Sequence, residues 1–269
     1  MSEQSRRTGD RPGGGGVGEG RPAAPRPGAP AWPSHSTEAG TAALAGDLSF
    51  SMVEARQLWS FLDGAIMDVH VRHQLWRTWG LCPRHAWGYA IAEIEVRGGR
   101  PFSTAILYED LVGRAAGLAG SRALPWRLAL ARLRTRGVCF TCDYVALARS
   151  HTDTGLGDVL ARMNDRRRTT VLLAASRREW RARACPECLA GEGPVCRPHL
   201  LAGVRPPGGR RRLAGALWDL RRRLHVLVRS MTWRGPVAGA AEEASWVEAL
   251  AWFGGWRFLR LAARADVET

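Results

Sequence analysis

The sequence predicts an all-α protein with a multi-helix core that follows a disordered tail. Two observations lead to this prediction. Apolar residues recur at spacings of three and four through most of residues 45–269, as on one face of a helix. No convincing run of alternating apolar and polar residues indicates a strand.

The predicted tail covers residues 1–44. It is rich in Gly, Pro, Ser and Ala and contains scarcely any large apolar residue besides Trp32. Such a segment buries too little apolar surface to offset the entropy lost on ordering. The chain has no run of eighteen apolar residues and no apolar segment after its first arginines. We therefore expect neither a membrane span nor a secretory signal, and a cytoplasmic location.

The first half of the core is predicted to hold three helices. The first covers residues 58–79, where apolar positions follow the helical rhythm. A segment with glycine and proline at residues 98–101 ends this region, and Ser103 or Thr104 is placed to cap the second helix. Pro125 is expected to start the third.

The second half continues in the same style. A helix is expected over residues 156–175 and a cysteine-bearing loop over 184–204. After Pro207 the sequence predicts a long helix with a regular apolar seam. The seam consists of Leu213, Leu217, Leu220, Leu224 and Leu227. A last, tryptophan-rich helix is expected to pack on the helical body.

Four short pairs contain all six cysteines. These are Cys82 with His85, Cys139 with Cys142, Cys185 with Cys188, and Cys196 with His199. A gap of two residues lets both side chains of a turn face one ion, and two such pairs complete a tetrahedron around zinc. The sequence therefore predicts metal-bearing loops that hold one or two zinc ions.

Two groupings of the pairs are open at this stage. In a local grouping, Cys185, Cys188, Cys196 and His199 share one ion, and the first two pairs share another. In a repeat grouping, a unit of Cys-x-x-Cys, helix and Cys-x-x-His has been duplicated. Cys139 and Cys142 then join Cys196 and His199, while the first unit has lost its first pair at Ser49 and Met52.

Several segments resemble an uncharacterised family of bacterial helical proteins, a domain of unknown function. The resemblance rests on GLCPRHAW at residues 80–87, AILYEDL at residues 105–111, and the pairs beginning at Cys139 and Cys196. It implies a metal-binding role and a degenerate internal duplication, and it supplies no reaction. The family pattern has cysteines where this chain has Ser49 and Met52.

The duplication suggests an organisation in four parts. These are a tail at residues 1–44, a first repeat unit at 45–137, a Cys/His-rich second unit at 138–205, and an Arg/Leu-rich helix with a Trp-rich helix at 206–269.

The basic charge of the chain is regional. Of the net charge of +14, residues 141–235 contribute most, with 19 arginines against eight acidic residues. All 39 basic residues are arginine, which is also what a GC-rich genome favours. Six arginines of the long helix are candidates for contacts with nucleic-acid phosphates. They are Arg210, Arg211, Arg212, Arg221, Arg222 and Arg223.

A second candidate site contains no cysteine. His70 and His73 are spaced to lie on one helix face, and Glu109 and Asp110 supply neighbouring carboxylates. His70 and His73 could replace the missing ligands of the first unit. Glu109 and Asp110 could serve as acid and base for a substrate held near these four residues, beside an incomplete first metal site.

Together these patterns favour a zinc-stabilised helical scaffold that binds a protein or a nucleic acid, or regulates one. No catalytic motif is present in the sequence. The alternative is a metal-dependent or iron-sulfur redox enzyme or sensor with an incomplete first metal site. Histidine in every candidate quartet favours zinc over an iron-sulfur cluster.

Overall fold

The computed structural model describes residues 48–148 and 154–256, and Leu259. The predicted disordered tail at residues 1–44 lies outside them. The described residues are helical and include no strand, which confirms the all-α prediction. None of their helices is long and apolar enough to cross a membrane.

The helices follow one another in the order of the chain. They are α1 (Met52–Leu62), α2 (Val69–Thr78), α3 (Pro83–Arg97), α4 (Phe102–Gly120), α5 (Trp126–Leu133), α6 (Phe140–Leu147), α7 (Gly157–Asp165), α8 (Arg167–Ala175), α9 (Arg177–Ala182), α10 (Pro186–Leu189), α11 (Arg197–Leu201), α12 (Gly209–Ser230), α13 (Ala240–Glu243) and α14 (Ser245–Gly254). Short 3-10 turns at Ala65–Met67 and Thr154–Leu156 precede α2 and α7. One hydrophobic core includes residues from each of the three predicted parts that follow the tail, at 45–137, 138–205 and 206–269.

Helix α3 forms the centre of the fold. The sequence pattern did not predict a helix over these residues. Every residue from 85 to 95 is buried, including Glu93 and Glu95. Helices α1, α4, α7, α8 and α14 all contact it. A helix that is buried on all sides has no polar face, so it lacks the periodic pattern by which the other helices were recognised.

The leucine seam of α12 is buried as predicted, from Leu213 to Leu227. This face packs along α4 and also contacts α14. The tryptophans at positions 246, 252 and 256 are buried in the same core, so the last helix packs on the helical body.

Two predicted helices are broken in the structure. The helix expected over residues 58–79 ends at Leu62, and the chain resumes as α2 after Gly64, whose φ is +120°. The helix expected over 156–175 breaks at Arg166, which has a left-handed backbone with φ of +55°. Apolar periodicity alone did not reveal either break.

Buried carboxylates of α3 cap two other helices. Glu93 accepts hydrogen bonds from the backbone amides of Ser103 and Thr104 at the start of α4, at 2.6 and 3.0 Å. Glu95 accepts one from the amide of Thr169 at the start of α8, at 2.7 Å. The first amides of a helix have no partner within the helix and favour a negative charge. These two acids are therefore used to join helices.

Arginine side chains donate hydrogen bonds to backbone carbonyl oxygens at the C-terminal ends of helices. Arg162 donates to two carbonyl oxygens near the end of α3, at 2.5 and 3.1 Å. Arg210 donates to the carbonyls of Leu118 and Ala119 at the end of α4, at 2.9 and 2.5 Å. The last carbonyls of a helix favour a positive charge. Part of the arginine content therefore serves the fold.

Candidate metal centres

All four Cys/His pairs occupy the same position on a helix. In each pair the first residue is the N-cap and the second is the third helical residue. The helices are α3, α6, α10 and α11. Proline follows Cys82 and Cys185, and it favours helix initiation because its φ is fixed near the helical value. Amides at a helix start also stabilise thiolates.

The first group, which we call cluster 1, joins the starts of α3 and α6. It contains Cys82, His85, Cys139 and Cys142. The Nδ1 atom of His85 lies 3.3, 3.6 and 3.3 Å from the Sγ atoms of Cys82, Cys139 and Cys142. The Sγ atoms of Cys82 and Cys142 are 3.7 Å apart.

The second group, cluster 2, joins the starts of α10 and α11. It contains Cys185, Cys188, Cys196 and His199. The Nδ1 atom of His199 lies 3.5, 3.5 and 3.4 Å from the three sulfurs in chain order. The Sγ atoms of Cys188 and Cys196 are 3.8 Å apart.

A tight reversal brings the two halves of cluster 2 together. The amide of Gly193 donates to the carbonyl of Ala184 at 3.0 Å, and a Cβ atom on Gly193 would lie 1.8 Å from the carbonyl oxygen of Arg183. Only glycine fits this close approach. The chain thereby turns from α10 to α11 within the short loop that separates Cys188 from Cys196.

The distances in both clusters match the edges of a tetrahedron around one ion. Bonds of about 2.3 Å from zinc to sulfur and about 2.0 Å to nitrogen give S–S edges of about 3.8 Å and S–N edges of about 3.5 Å. The ligand atoms of each group all lie within 4.8 Å of one another. A disulfide would require about 2.05 Å between sulfurs, and the six cysteines are free thiols. Each cluster could therefore hold one metal ion.

A carboxylate orients the imidazole of cluster 1. The Nε2 atom of His85 lies 3.0 Å from Oε1 of Glu54, to which it donates. Glu54 also accepts hydrogen bonds from Arg84 at 2.7 Å and from the amide of Ser51 at 2.8 Å. Because Nε2 carries the proton, the lone pair of Nδ1 faces the sulfurs, as metal ligation requires. The described residues include no hydrogen-bond partner for Nε2 of His199.

The side chains of cluster 1 and Glu54 shift one another's pKa values. Burial opposes ionisation of Glu54, but hydrogen bonds from His85 and Arg84 outweigh it and hold the pKa of Glu54 well below its usual range. Burial also disfavours a charge on His85, yet the thiols of Cys139 and Cys142, together with Glu54, raise the pKa of His85 to about 11. Without a metal, both ring nitrogens of His85 are therefore protonated at neutral pH, and a metal would have to displace the proton on Nδ1.

Cluster 2 is tied to the core through Arg197, the residue after Cys196. Its guanidinium donates to the carbonyls of Leu133, at the end of α5, and Phe253, near the end of α14, at 3.1 and 3.2 Å. Burial lowers the pKa of Arg197 to about 10. These bonds hold the start of α11, and with it two ligands, against the helical body.

The structure groups the pairs locally rather than by the repeat scheme. Cys139 and Cys142 meet Cys82 and His85, although the predicted unit boundary at residue 137 separates them. Ser49 and Met52, the proposed place of a lost pair, do not occupy the N-cap and third helical positions that the four pairs share, and the duplication itself stays a prediction. The N-cap of α1 is Ser51, and its third residue is Glu54. The Ser-x-x-Glu capping box was the sequence signal that could have revealed this.

The second candidate site is not assembled. Glu109 pairs with His225 at 3.1 Å, and Asp110 accepts from the indole of Trp76 at 2.7 Å. Among the described residues, the groups of three or more His, Cys, Asp and Glu that could hold a metal are clusters 1 and 2. The structure therefore does not bring His70, His73, Glu109 and Asp110 together as one metal site.

The six candidate arginines of α12 do not form one surface. Arg210 caps α4, and Arg223 is buried against Glu248 with two hydrogen bonds of 2.6 and 2.7 Å. These two are unavailable to phosphates. The other four are exposed. They are Arg211, Arg212, Arg221 and Arg222.

Comparisons with models of known families, with curated proteins and with solved structures find no match to this chain. The resemblance to a family of bacterial helical proteins stays an expectation, and the geometry of the two clusters is the basis for a functional assignment.

Proposed function

We propose that the chain is a helical binding scaffold in which clusters 1 and 2 each hold one structural zinc ion. The observation that carries the proposal is the geometry of both clusters, in which three sulfurs and one nitrogen lie at the edge distances of a single tetrahedron. Two groups with the same donor set and spacing, each at a pair of helix starts, support a shared chemistry.

Zinc fits the donor set better than an iron-sulfur cluster. In a polynuclear cluster the protein ligands are distributed over several iron atoms, so they cannot all surround one point. Here each Nδ1 lies within 3.6 Å of all three sulfurs of its group. Thiolate and imidazole in a tetrahedron are typical of structural zinc sites.

The proposed role is structural because four protein ligands fill the shell. A catalytic zinc keeps one position for water or substrate, and neither cluster leaves one. Each ion would join two helix starts, so its binding free energy, about 10–16 kcal/mol in small zinc domains, would contribute to folding. A cytoplasmic location is part of this proposal, since metal-bound thiolates suit a reducing compartment.

Elemental analysis and the visible spectrum of protein purified without added metal test the proposal. We expect two zinc ions per chain and no colour, with one zinc lost in His85→Gln and one in His199→Gln. His70→Gln and His73→Gln serve as matched controls and should keep both ions. Brown, iron-containing protein would overturn the zinc assignment in favour of a redox enzyme or sensor. Folded protein that contains no metal would also overturn the zinc assignment.

A further inference from the structure

The outer face of α12 carries a continuous exposed stripe, opposite the buried leucine seam. At 100° per residue, its members lie within about 40° of one line along the helix. All are exposed, and Trp218 is 45% exposed. The stripe consists of Arg211, Gly215, Trp218, Arg222, His225 and Arg229.

The stripe has an excess of positive charge after internal partners are assigned. Helix α12 contains seven arginines and a single acidic residue, Asp219. Asp219 pairs with Arg222 and Arg223, both at 2.9 Å, and Glu242 lies 3.9 Å from Arg222, whose side chain is still 61% exposed. In the described part of the chain, Arg211 and Arg229 have no acidic partner, and Glu109 faces only His225. The packing of the fold therefore leaves a positive charge at each end of the stripe.

Aromatic groups lie among these charges. The guanidinium of Arg221 lies 5.3 Å from the ring centre of Trp218, on the flank of the stripe. Just after the helix, Trp233 is 90% exposed. The position of Trp218 beside Arg221 points to a ligand with both flat apolar rings and negative charge.

We propose that this stripe binds single-stranded nucleic acid, with Arg211, Arg222 and Arg229 contacting phosphates and Trp218 stacking on a base. This inference names the partner of the scaffold proposed above and rests on that function. The stripe is about 27 Å long at 1.5 Å per residue, which accommodates several phosphates of an extended strand. Basic grooves with stacking aromatics are the usual means of binding single strands.

The same features disfavour the other anionic partners. In a duplex the base faces are stacked on one another and do not reach Trp218. A membrane surface requires a helix with a free apolar face, but the apolar face of α12 is buried in the core. An acidic protein would satisfy the arginines but gives no role to the exposed indole of Trp218.

The test measures binding of the full chain to labelled oligonucleotides of about 12 residues, the size range of single-strand sites. We expect binding to single strands that weakens with salt. The Arg211→Gln, Arg222→Gln, Arg229→Gln variant should bind at least about tenfold more weakly, with a salt slope reduced by about 2. Trp218→Ala should weaken binding at least about fivefold.

A variant with the same charge change elsewhere is the control. Arg132, Arg134 and Arg136 are exposed near the end of α5, and their replacement by Gln should leave the affinity within about twofold. Metal content is measured on every variant. If the protein contains zinc but binds no single-stranded oligonucleotide, the nucleic-acid inference is overturned and the zinc assignment stands. If the protein binds single strands but contains no metal, only the zinc assignment is overturned. The nucleic-acid inference is also overturned if the stripe variant and the control variant bind single strands equally well. The same holds if the protein prefers duplex, polyglutamate or anionic vesicles to single strands.

Discussion

Glu54 and His85 are joined by a hydrogen bond of 3.0 Å from Nε2 to a carboxylate oxygen, in the interior of the fold. Glu54 is also the capping-box residue that starts α1. One side chain thus determines where a helix begins and how an imidazole is oriented toward three sulfurs. The start of α1 and cluster 1 are therefore coupled.

Removing the charge of Glu54 should weaken zinc binding at cluster 1. Glu54→Gln keeps a capping-box residue type but removes the charge that holds His85, so the zinc affinity of cluster 1 should fall about tenfold or more. Cluster 2 should be unaffected, because Glu54 contacts none of its ligands. Competition with a chromophoric chelator measures both sites. Equal losses at the two clusters would contradict the proposed role.

Metal removal should destabilise the protein. The two ions would fix four helix starts, and a loss of about 3 kcal/mol lowers the melting temperature of a domain this size by about 6–12 °C. Circular dichroism during heating, before and after chelation at neutral pH, measures the change. Zinc should restore the original transition and magnesium should not. A melting temperature that is insensitive to chelation would contradict a structural role.

Zinc affinity of cluster 1 should rise with pH. In the metal-free chain the pKa of His85 is raised to about 11, so a proton competes with the metal at Nδ1 throughout the neutral range. Each proton displaced on binding increases the affinity about tenfold per pH unit. Titrations between mildly acidic and mildly basic pH measure this slope. It should amount to at least about one proton per zinc ion bound, and a zinc affinity that does not change with pH would argue against the protonated imidazole.

The buried pair of Arg223 and Glu248 should be important to stability. Both side chains are 5% exposed and are joined by two hydrogen bonds. Arg223→Met leaves Glu248 buried without its counter-charge and should reduce the free energy of unfolding by about 3–5 kcal/mol. The double variant Arg223→Met, Glu248→Leu should recover much of that loss. Urea denaturation measures both, and a cost below about 1 kcal/mol for the single variant would be inconsistent with a buried ion pair.

Gly193 should be needed for cluster 2. Gly193→Ala places a methyl group 1.8 Å from the carbonyl oxygen of Arg183, so the loop must open and one zinc should be lost. Gly215→Ala is the matched control, since among the described residues no atom beyond the neighbouring backbone of its own helix lies within 4 Å of its Cβ position. Because Gly215 lies within α12, this control should gain about 0.5–1 kcal/mol. Elemental analysis and urea denaturation compare the two, and retention of both ions in Gly193→Ala would contradict the tight reversal.

Local sequence determined the features that depend on neighbours along one helix. The seam from Leu213 to Leu227 identified α12 and its buried face, since helical periodicity directly encodes which side meets the core. The spacing of Cys82 and His85, repeated in three further pairs, identified the candidate ligands. An N-cap and the third helical residue face the same point in any protein.

Tertiary structure decided which distant groups meet. Cys82 lies beside Cys142, 60 positions along the chain, and no local pattern specifies that contact. The spacing of apolar residues did not reveal helix α3, because this helix is buried on every side. Arg210 and Arg211 are adjacent and chemically identical, yet the first caps α4 and the second faces solvent. Sequence spacing fixes directions within one helix, whereas the partner of each side chain depends on how helices remote in the chain pack together.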